Sequence, residues 1–401
     1  MNRYQDIIGR VNQWLFLVVV AMLPFPQIAL RTACVLWVVS WYMEGRWLHK
    51  SNLQSPISNL KLSLPFLLFG LWYAVHAISG LWAADTALWA MQMERYLAFG
   101  LLVPIGLWGL NKHYDAERTL RVFAIAAWIA VPFYAVWFVW RWHGQITDLE
   151  FVAANISHLK HRLFLCSVEL LGMIAAVHVW RQRPVVLTCA LLSMGSLVLI
   201  SGSRQALLTA AVLGVCLLLW LLPTHLRKRY GVAVVLLGLL VGGGVIGLHP
   251  RMQEFGLNGL THMREMSYNH DLRLNIWGAA LQHPQDYLAF GLGGGQSPDY
   301  LAQRYAEAGF DYYAESRFHA HNQYLEELME TGVPGLLLFL LAWLSVPLCA
   351  QKKGRPTAIL LTLLFALNMC TDCMFGSFCG VALWAVGLLL ILLQSDSQRE
   401  Q

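Results

Sequence analysis

HAHNQYLEELMETGVPG, residues 319–335, brings two histidines, an asparagine and three glutamates together directly before a long apolar segment. Its pattern predicts a helix that is closed by Gly332. Imidazole is a natural general base near neutral pH, so His321 is the candidate catalytic residue. The three carboxylates are expected to lie on a solvated helix face: Glu326, Glu327 and Glu330.

The apolar segment after this stretch is one of many. The chain has 401 residues, of which 57% are hydrophobic and 13% are charged, whereas an ordinary soluble domain is about 25% charged. Apolar runs of membrane-spanning length recur throughout. The composition predicts an all-α polytopic membrane protein with about twelve transmembrane helices. The predicted spans are 12–24, 28–43, 63–82, 87–109, 119–140, 162–180, 185–201, 206–222, 230–248, 334–350, 357–375 and 377–395.

The loop charges predict the orientation of these spans. Basic residues concentrate in every second loop, and cytoplasmic loops carry such an excess. Both termini are therefore expected in the cytoplasm. The same spread of basic residues over many loops argues against nucleic acid as a partner. The loop residues concerned are Arg3, Arg10, Arg46, Lys50, Lys61, Lys112, Arg118, Arg121, Arg181, Arg183, Arg227, Lys228, Arg229, Lys352, Lys353, Arg355 and Arg399.

Residues 249–333 form the one long loop, and it lies on the outer side. It holds five arginines, no lysine and eleven acidic residues, a net charge of −6. An acidic loop does not attract anions by its bulk field, so individual arginines must bind any anion. The predicted organisation is nine helices in 1–248, the loop with its chemistry in 249–333, and three helices in 334–401.

Two arginines are candidates for anion binding. Arg204 follows Ser201, Gly202 and Ser203 at the outer end of a span, where a guanidinium and free backbone N–H groups suit a phosphate. A snorkelling arginine at a helix end is the structural alternative. Arg273 lies on a short predicted loop helix, with Trp277 one turn further on the same face. An ion pair on the helix surface is its alternative role.

The sequence predicts no metal and no cofactor. Most of the eight cysteines lie inside apolar runs and read as small core residues. Cys370 and Cys373 form a single C-x-x-C pair, which we interpret as two small residues near a helix end. A second cysteine pair or paired histidines at zinc spacing does not occur, nor does an Asp-x-Asp motif.

Three patterns carry a resemblance to a known family. The first is H-N-x9-G-x-x-G, formed by His321, Asn322, Gly332 and Gly335. The second is the SGSRQ turn at 201–205, and the third is the R-x3-W helix that is followed by GLG. In this topology the chain resembles the O-antigen ligase and O-antigen polymerase superfamily.

The resemblance implies a metal-independent, GT-C-type glycosyltransferase of the bacterial inner membrane, with its active site facing the periplasm. Members take a glycan from undecaprenyl pyrophosphate. In the ligase branch, which we favour, the acceptor is a sugar hydroxyl of lipid A–core in lipopolysaccharide biosynthesis. His321 would then be the general base, and Arg204 and Arg273 would hold the pyrophosphate. The further candidates for substrate binding are Arg162, Trp277, His319 and Asn322.

Three alternatives stay open at this point. A polymerase of the same superfamily would use another lipid-linked glycan as acceptor. A protein O-oligosaccharyltransferase would use a serine or threonine side chain. A transporter or flippase is the least favoured, because paired broken helices and repeated halves are typical of transporters, and the sequence shows neither.

Overall fold

The computed structural model describes residues 3–45, 60–142, 149–201, 203–248, 272–307, 309–352 and 354–396. Over these ranges the regular structure is helical and contains no strand. The predicted all-α class is thereby confirmed.

The helices are numbered here in chain order, and the loop after α11 and the one before α16 each contain a short 3-10 turn. Their bounds are α1 Arg3–Met22, α2 Gln27–Glu44, α3 Leu60–Ser79, α4 Thr86–Trp108, α5 Ala116–Trp142, α6 Leu149–Leu159, α7 Arg162–Trp180, α8 Pro184–Ser201, α9 Arg204–Leu221, α10 Thr224–Leu248, α11 Leu272–Ala280, α12 Ser297–Glu307, α13 Asp311–Ser316, α14 Gln323–Cys349, α15 Arg355–Met369 and α16 Phe378–Asp396.

Each of the twelve predicted apolar segments overlaps one of these helices. The predicted segment 357–375 is too long, because α15 ends at Met369 and leaves Asp372 in the loop that follows. In the described part of the chain, five helices are long and apolar enough to cross a membrane by length and composition: α5, α7, α8, α9 and α14. The apolar stretch of α7 is 83% buried, whereas those of α8 and α9 are 28% buried. The helix α7 is therefore central, and α8 and α9 present most of their apolar side chains outward, as helices at a lipid boundary do.

The helix α14 is interrupted at Gly332, the residue at which the sequence predicts a helix end. Gly332 has a φ of 69°, a conformation that glycine adopts without steric cost. A Cβ at this position would lie 2.8 Å from backbone atoms of Ala289 and Phe290. The kink separates a first part, 323–331, from the apolar part that follows and packs along α3.

The first part of α14 belongs to a small layer with an apolar core of its own. Buried members of that core are Ile276, Tyr287, Leu301, Tyr305 and Met329. The segment 288–295 passes alongside α14, where the N–H of Leu292 donates to the carbonyl of Met329 at 2.8 Å and that of Gly293 to Glu330 at 3.0 Å. This layer carries the histidines of the opening stretch. Residues 249–271 of the predicted long loop lie outside the described residues.

Candidate active site

The two histidines lie in a tight turn immediately before α14. His321 has a φ of 46°, which is uncommon for a residue other than glycine. The side-chain oxygen of Asn322 caps α14 by accepting from the N–H groups of Tyr324 and Leu325. The backbone N–H of His321 donates to Nδ1 of His319, and the two rings lie 4.1 Å apart between centroids. A strained backbone that is fixed at several points is typical of functional sites.

Asp372 faces this turn from the loop between α15 and α16. Its Oδ1 lies 3.7 Å from Nδ1 of His321, an ion-pair distance longer than a hydrogen bond. Burial raises the pKa of Asp372, but the nearby His321, His319 and His161 outweigh that effect and lower it to about 2. Asp372 is therefore a carboxylate beside the candidate base.

Sequence reasoning missed Asp372, although a signal was present. It is the one acidic residue between Glu330 and Asp396, in an otherwise apolar region. A lone carboxylate between membrane spans is costly unless it has a partner or a function. Its partner lies in a different loop, so no local motif joins the two residues.

His161 and His319 complete the histidine cluster. Burial is the main cause that lowers the pKa of each, and the neighbouring His321 lowers both further. The pKa of His161 also responds to Asp372, Arg162 and Arg273. These groups from four segments of the chain are therefore close enough to act on one another electrostatically.

Of the predicted arginines, Arg273 and Arg162 lie close enough to act on His161. The Nε of Arg273 donates to the carbonyl of Thr371 at 2.8 Å, directly next to Asp372. Arg162 is the first residue of α7 and Arg204 the first of α9, and both are half-buried. The thiol of Cys166, one turn after Arg162, lies 2.7 Å from the hydroxyl of Ser201 at the end of α8. Arg162 and Arg204 therefore lie at the same end of the helix bundle.

Trp277 and Asn322 are engaged with the protein itself. The indole N–H of Trp277 donates to the carbonyl of Ala320 at 3.0 Å, and Asn322 is the helix cap described above. Their predicted role in substrate binding stays a prediction. In the structure, Trp277 fixes the backbone before His321 and Asn322 fixes the backbone after it.

The expectation for the three glutamates of α14 is wrong, because none lies on a solvated face. Glu326, Glu327 and Glu330 are 7%, 0% and 1% exposed. Glu327 accepts from Nε1 of Trp72 at 2.8 Å and lies 2.9 Å from Nε2 of His76. Polar partners on α3 and in the 288–297 segment make this face an internal one, since buried carboxylates require such partners. The sequence pattern alone does not reveal those partners.

The residues of the cluster include types that bind metals. Donor atoms of His319, His321 and Asp372 lie within 4.8 Å of one another, as do those of His319, Glu326 and Cys373. Imidazole, carboxylate and thiolate suit zinc and similar ions. The same His321 and Asp372 also make a base with an orienting carboxylate, an arrangement that needs no metal.

The site thus combines a half-buried histidine, a carboxylate neighbour and an adjacent arginine in an apolar helix bundle that contains helices able to cross a membrane. These groups are of the types that acid–base chemistry on an anionic substrate requires. The family model described as O-antigen ligase matches residues 189–340. The predicted resemblance to that superfamily is thereby confirmed over this region, which contains Arg204, Arg273 and His321. No curated protein matches the chain.

Proposed function

We propose that the chain is a GT-C-type glycosyltransferase with twelve membrane spans in the bacterial inner membrane. It transfers a glycan from undecaprenyl pyrophosphate to a sugar hydroxyl of lipid A–core, as an O-antigen ligase. Residues 249–333 form a periplasmic loop between nine preceding and three following spans. The observation that carries this proposal is the pairing of His321 with Asp372 beside Arg273, together with the O-antigen ligase match.

His321 is the general base of the proposed reaction. Because Nδ1 faces Asp372, Nε2 is left to accept the proton of the acceptor hydroxyl. The acceptor oxygen then forms a bond to the anomeric carbon of the glycan, and the bond from that carbon to the pyrophosphate oxygen breaks. The leaving group departs with the electron pair as the lipid pyrophosphate. Asp372 stabilises the imidazolium that results, as an orienting carboxylate does in catalytic triads.

The arginines neutralise the leaving group. A pyrophosphate leaves readily once its charge is balanced, and guanidinium groups supply paired donors for phosphate oxygens. Arg273 is fixed next to Asp372 through its Nε, which donates to the carbonyl of Thr371. Arg204 and Arg162 belong to the same proposed anion site.

An apolar groove supports a lipid-linked donor. The groove of about 300 Å³ runs along α9 between Leu207 and Leu217 and is lined also by residues of α7, α8 and α10. A Cβ at Gly214 would meet no heavy atom within 4 Å, so the groove is open there. Its lining includes Val198, Leu207, Ala210, Gly214 and Gly242. An isoprenoid tail has the apolar character that such a lining binds.

Deletion of the gene tests the proposal and separates it from its closest rival. A ligase-deficient strain retains lipid A–core without long chains and accumulates undecaprenyl-linked polymer. A polymerase-deficient strain instead carries core with a single repeat unit. Normal long-chain lipopolysaccharide in the deletion strain, with no accumulated lipid-linked glycan, would overturn both.

A further inference from the structure

We propose that Glu326 is a positioning residue that holds His321 and Asp372 against each other. This inference rests on the proposed function and deepens it. Glu326 touches neither catalytic side chain in the structure. It contacts instead the chain neighbour of each: Ala320, which precedes His321, and Cys373, which follows Asp372.

The contacts of Glu326 are those of a buried acceptor with three donors. Its Oε2 accepts from the N–H of Ala320 at 2.9 Å and from the thiol of Cys373 at 3.7 Å. Its Oε1 accepts from the hydroxyl of Ser297. A carboxylate accepts at both oxygens and donates at neither, which suits this set of partners.

The peptide before His321 is held on both sides. Glu326 accepts from the N–H of Ala320, while the indole of Trp277 donates to its carbonyl, and Ala320 itself is fully buried. The next residue, His321, has the unusual positive φ. Such a conformation costs energy and persists only when surrounding contacts determine it. Glu326 and Trp277 supply those contacts.

The loop of Asp372 is held from the same turn of α14. Besides the thiol contact of Cys373 with Glu326, the side-chain oxygen of Gln323 accepts from the N–H of Phe375 at 2.8 Å. His321 and Asp372 come from segments that are far apart in sequence, so their distance depends on a group that binds both. Glu326 is the side chain that contacts both neighbours.

Glu326→Gln tests the assignment, with Glu330→Gln as the matched control. Glu330 lies one turn later on α14 and is equally buried, but it bonds to Gln92, Gly295 and Ser297 and to neither catalytic segment. An amide cannot accept at both ends, so one donor around Glu326 loses its partner. We expect kcat of the purified chain to fall at least about tenfold, because misplaced catalytic groups lose that much or more. Affinity for the lipid-linked donor should stay within twofold.

The pH profile separates positioning from general stability. With Glu326→Gln the midpoint of the acidic limb of kcat should shift, since the surroundings of the base change. Glu330→Gln should leave that midpoint in place. If Glu326→Gln does not fold, Glu326→Asp keeps the charge on a shorter side chain, and we expect the same pattern in kcat, pH profile and donor affinity.

Three outcomes are distinguishable. Wild-type kcat and pH profile in the Glu326 variants, or equal changes in Glu326→Gln and Glu330→Gln, would overturn the positioning role alone. Wild-type transfer by His321→Ala in the same assay would instead overturn the proposed function. A fall in kcat with a shifted profile only at Glu326 supports the inference.

Discussion

Glu327 and His76, 251 positions apart in the chain, meet at 2.9 Å in a site from which solvent is excluded. The contact joins α14, which carries the catalytic turn, to α3. Trp72 and Gln323 donate to the same carboxylate at 2.8 and 2.9 Å. Removing one member of a buried polar set leaves the others without partners, which costs more than the set contributes when intact.

Glu327→Ala should therefore destabilise the protein strongly. We expect a loss of about 2–6 kcal/mol, because the buried donors of Trp72 and Gln323 lose their acceptor and each unsatisfied group costs about 1–3 kcal/mol. Thermal unfolding in detergent measures it, with the exposed Glu315→Ala as control. Equal melting temperatures for the two variants would contradict the internal role of this carboxylate.

Asp372→Asn should lower turnover and leave donor binding unchanged. The substitution keeps the size of the side chain and removes the charge beside His321, so we expect kcat to fall by more than about tenfold. Because its pKa is lowered to about 2, Asp372 is ionised at any pH at which transfer is assayed. Asp372 should therefore stay ionised when the pH is lowered from about 8 to about 5. Protonation of Asp372 should not reproduce the effect of Asp372→Asn over this range. A variant with wild-type kcat would show that Asp372 has no part in the reaction.

Much of the fold follows from sequence because its signals are local. Apolar runs predict the helices, and Gly332 predicts the helix end at which α14 is interrupted, since both signals depend on a few adjacent residues. The candidate base His321 is also marked locally, by the cluster around it.

The rest of the site depends on contacts between distant segments. Asp372 is recognised as a site residue only in the folded chain, where its loop lies next to His321. The glutamates of α14 are buried only because α3 and the 288–297 segment cover them. Ser297 illustrates the same limit. It lies at the start of α12, and its hydroxyl donates to Glu326 of α14. Sequence spacing does not encode such partners.

Arg204→Ala and Arg273→Ala should weaken donor binding as well as turnover. Each removes a charge-assisted contact to the pyrophosphate, worth about 1.5–3 kcal/mol, or roughly tenfold to a hundredfold in affinity. Lysine at either position should restore activity only in part, because it keeps the charge and loses the paired donors. Binding of the lipid-linked donor to purified variants measures the effect. Unchanged donor affinity in both variants would show that neither arginine binds the pyrophosphate.

Transfer by the purified enzyme should persist in excess EDTA. The proposed step needs a base and a positive site for the leaving group, and His321 and the arginines supply both. The two sets of side chains around His319 that could hold a metal ion make chelation an informative test. Activity that chelation abolishes and an added divalent ion restores would show instead that a metal occupies the histidine cluster.

The most direct test of the account is donor binding and glycan transfer measured together on purified His321→Ala. Loss of a general base lowers turnover by roughly 10²–10⁴-fold, and the separate anion site should keep donor affinity close to that of the wild type. A monodisperse elution profile serves as the control for folding. We expect transfer to be lost and binding to be kept. Transfer at the wild-type rate would contradict the assignment of His321 as the base, and loss of donor binding would identify it as a phosphate ligand instead.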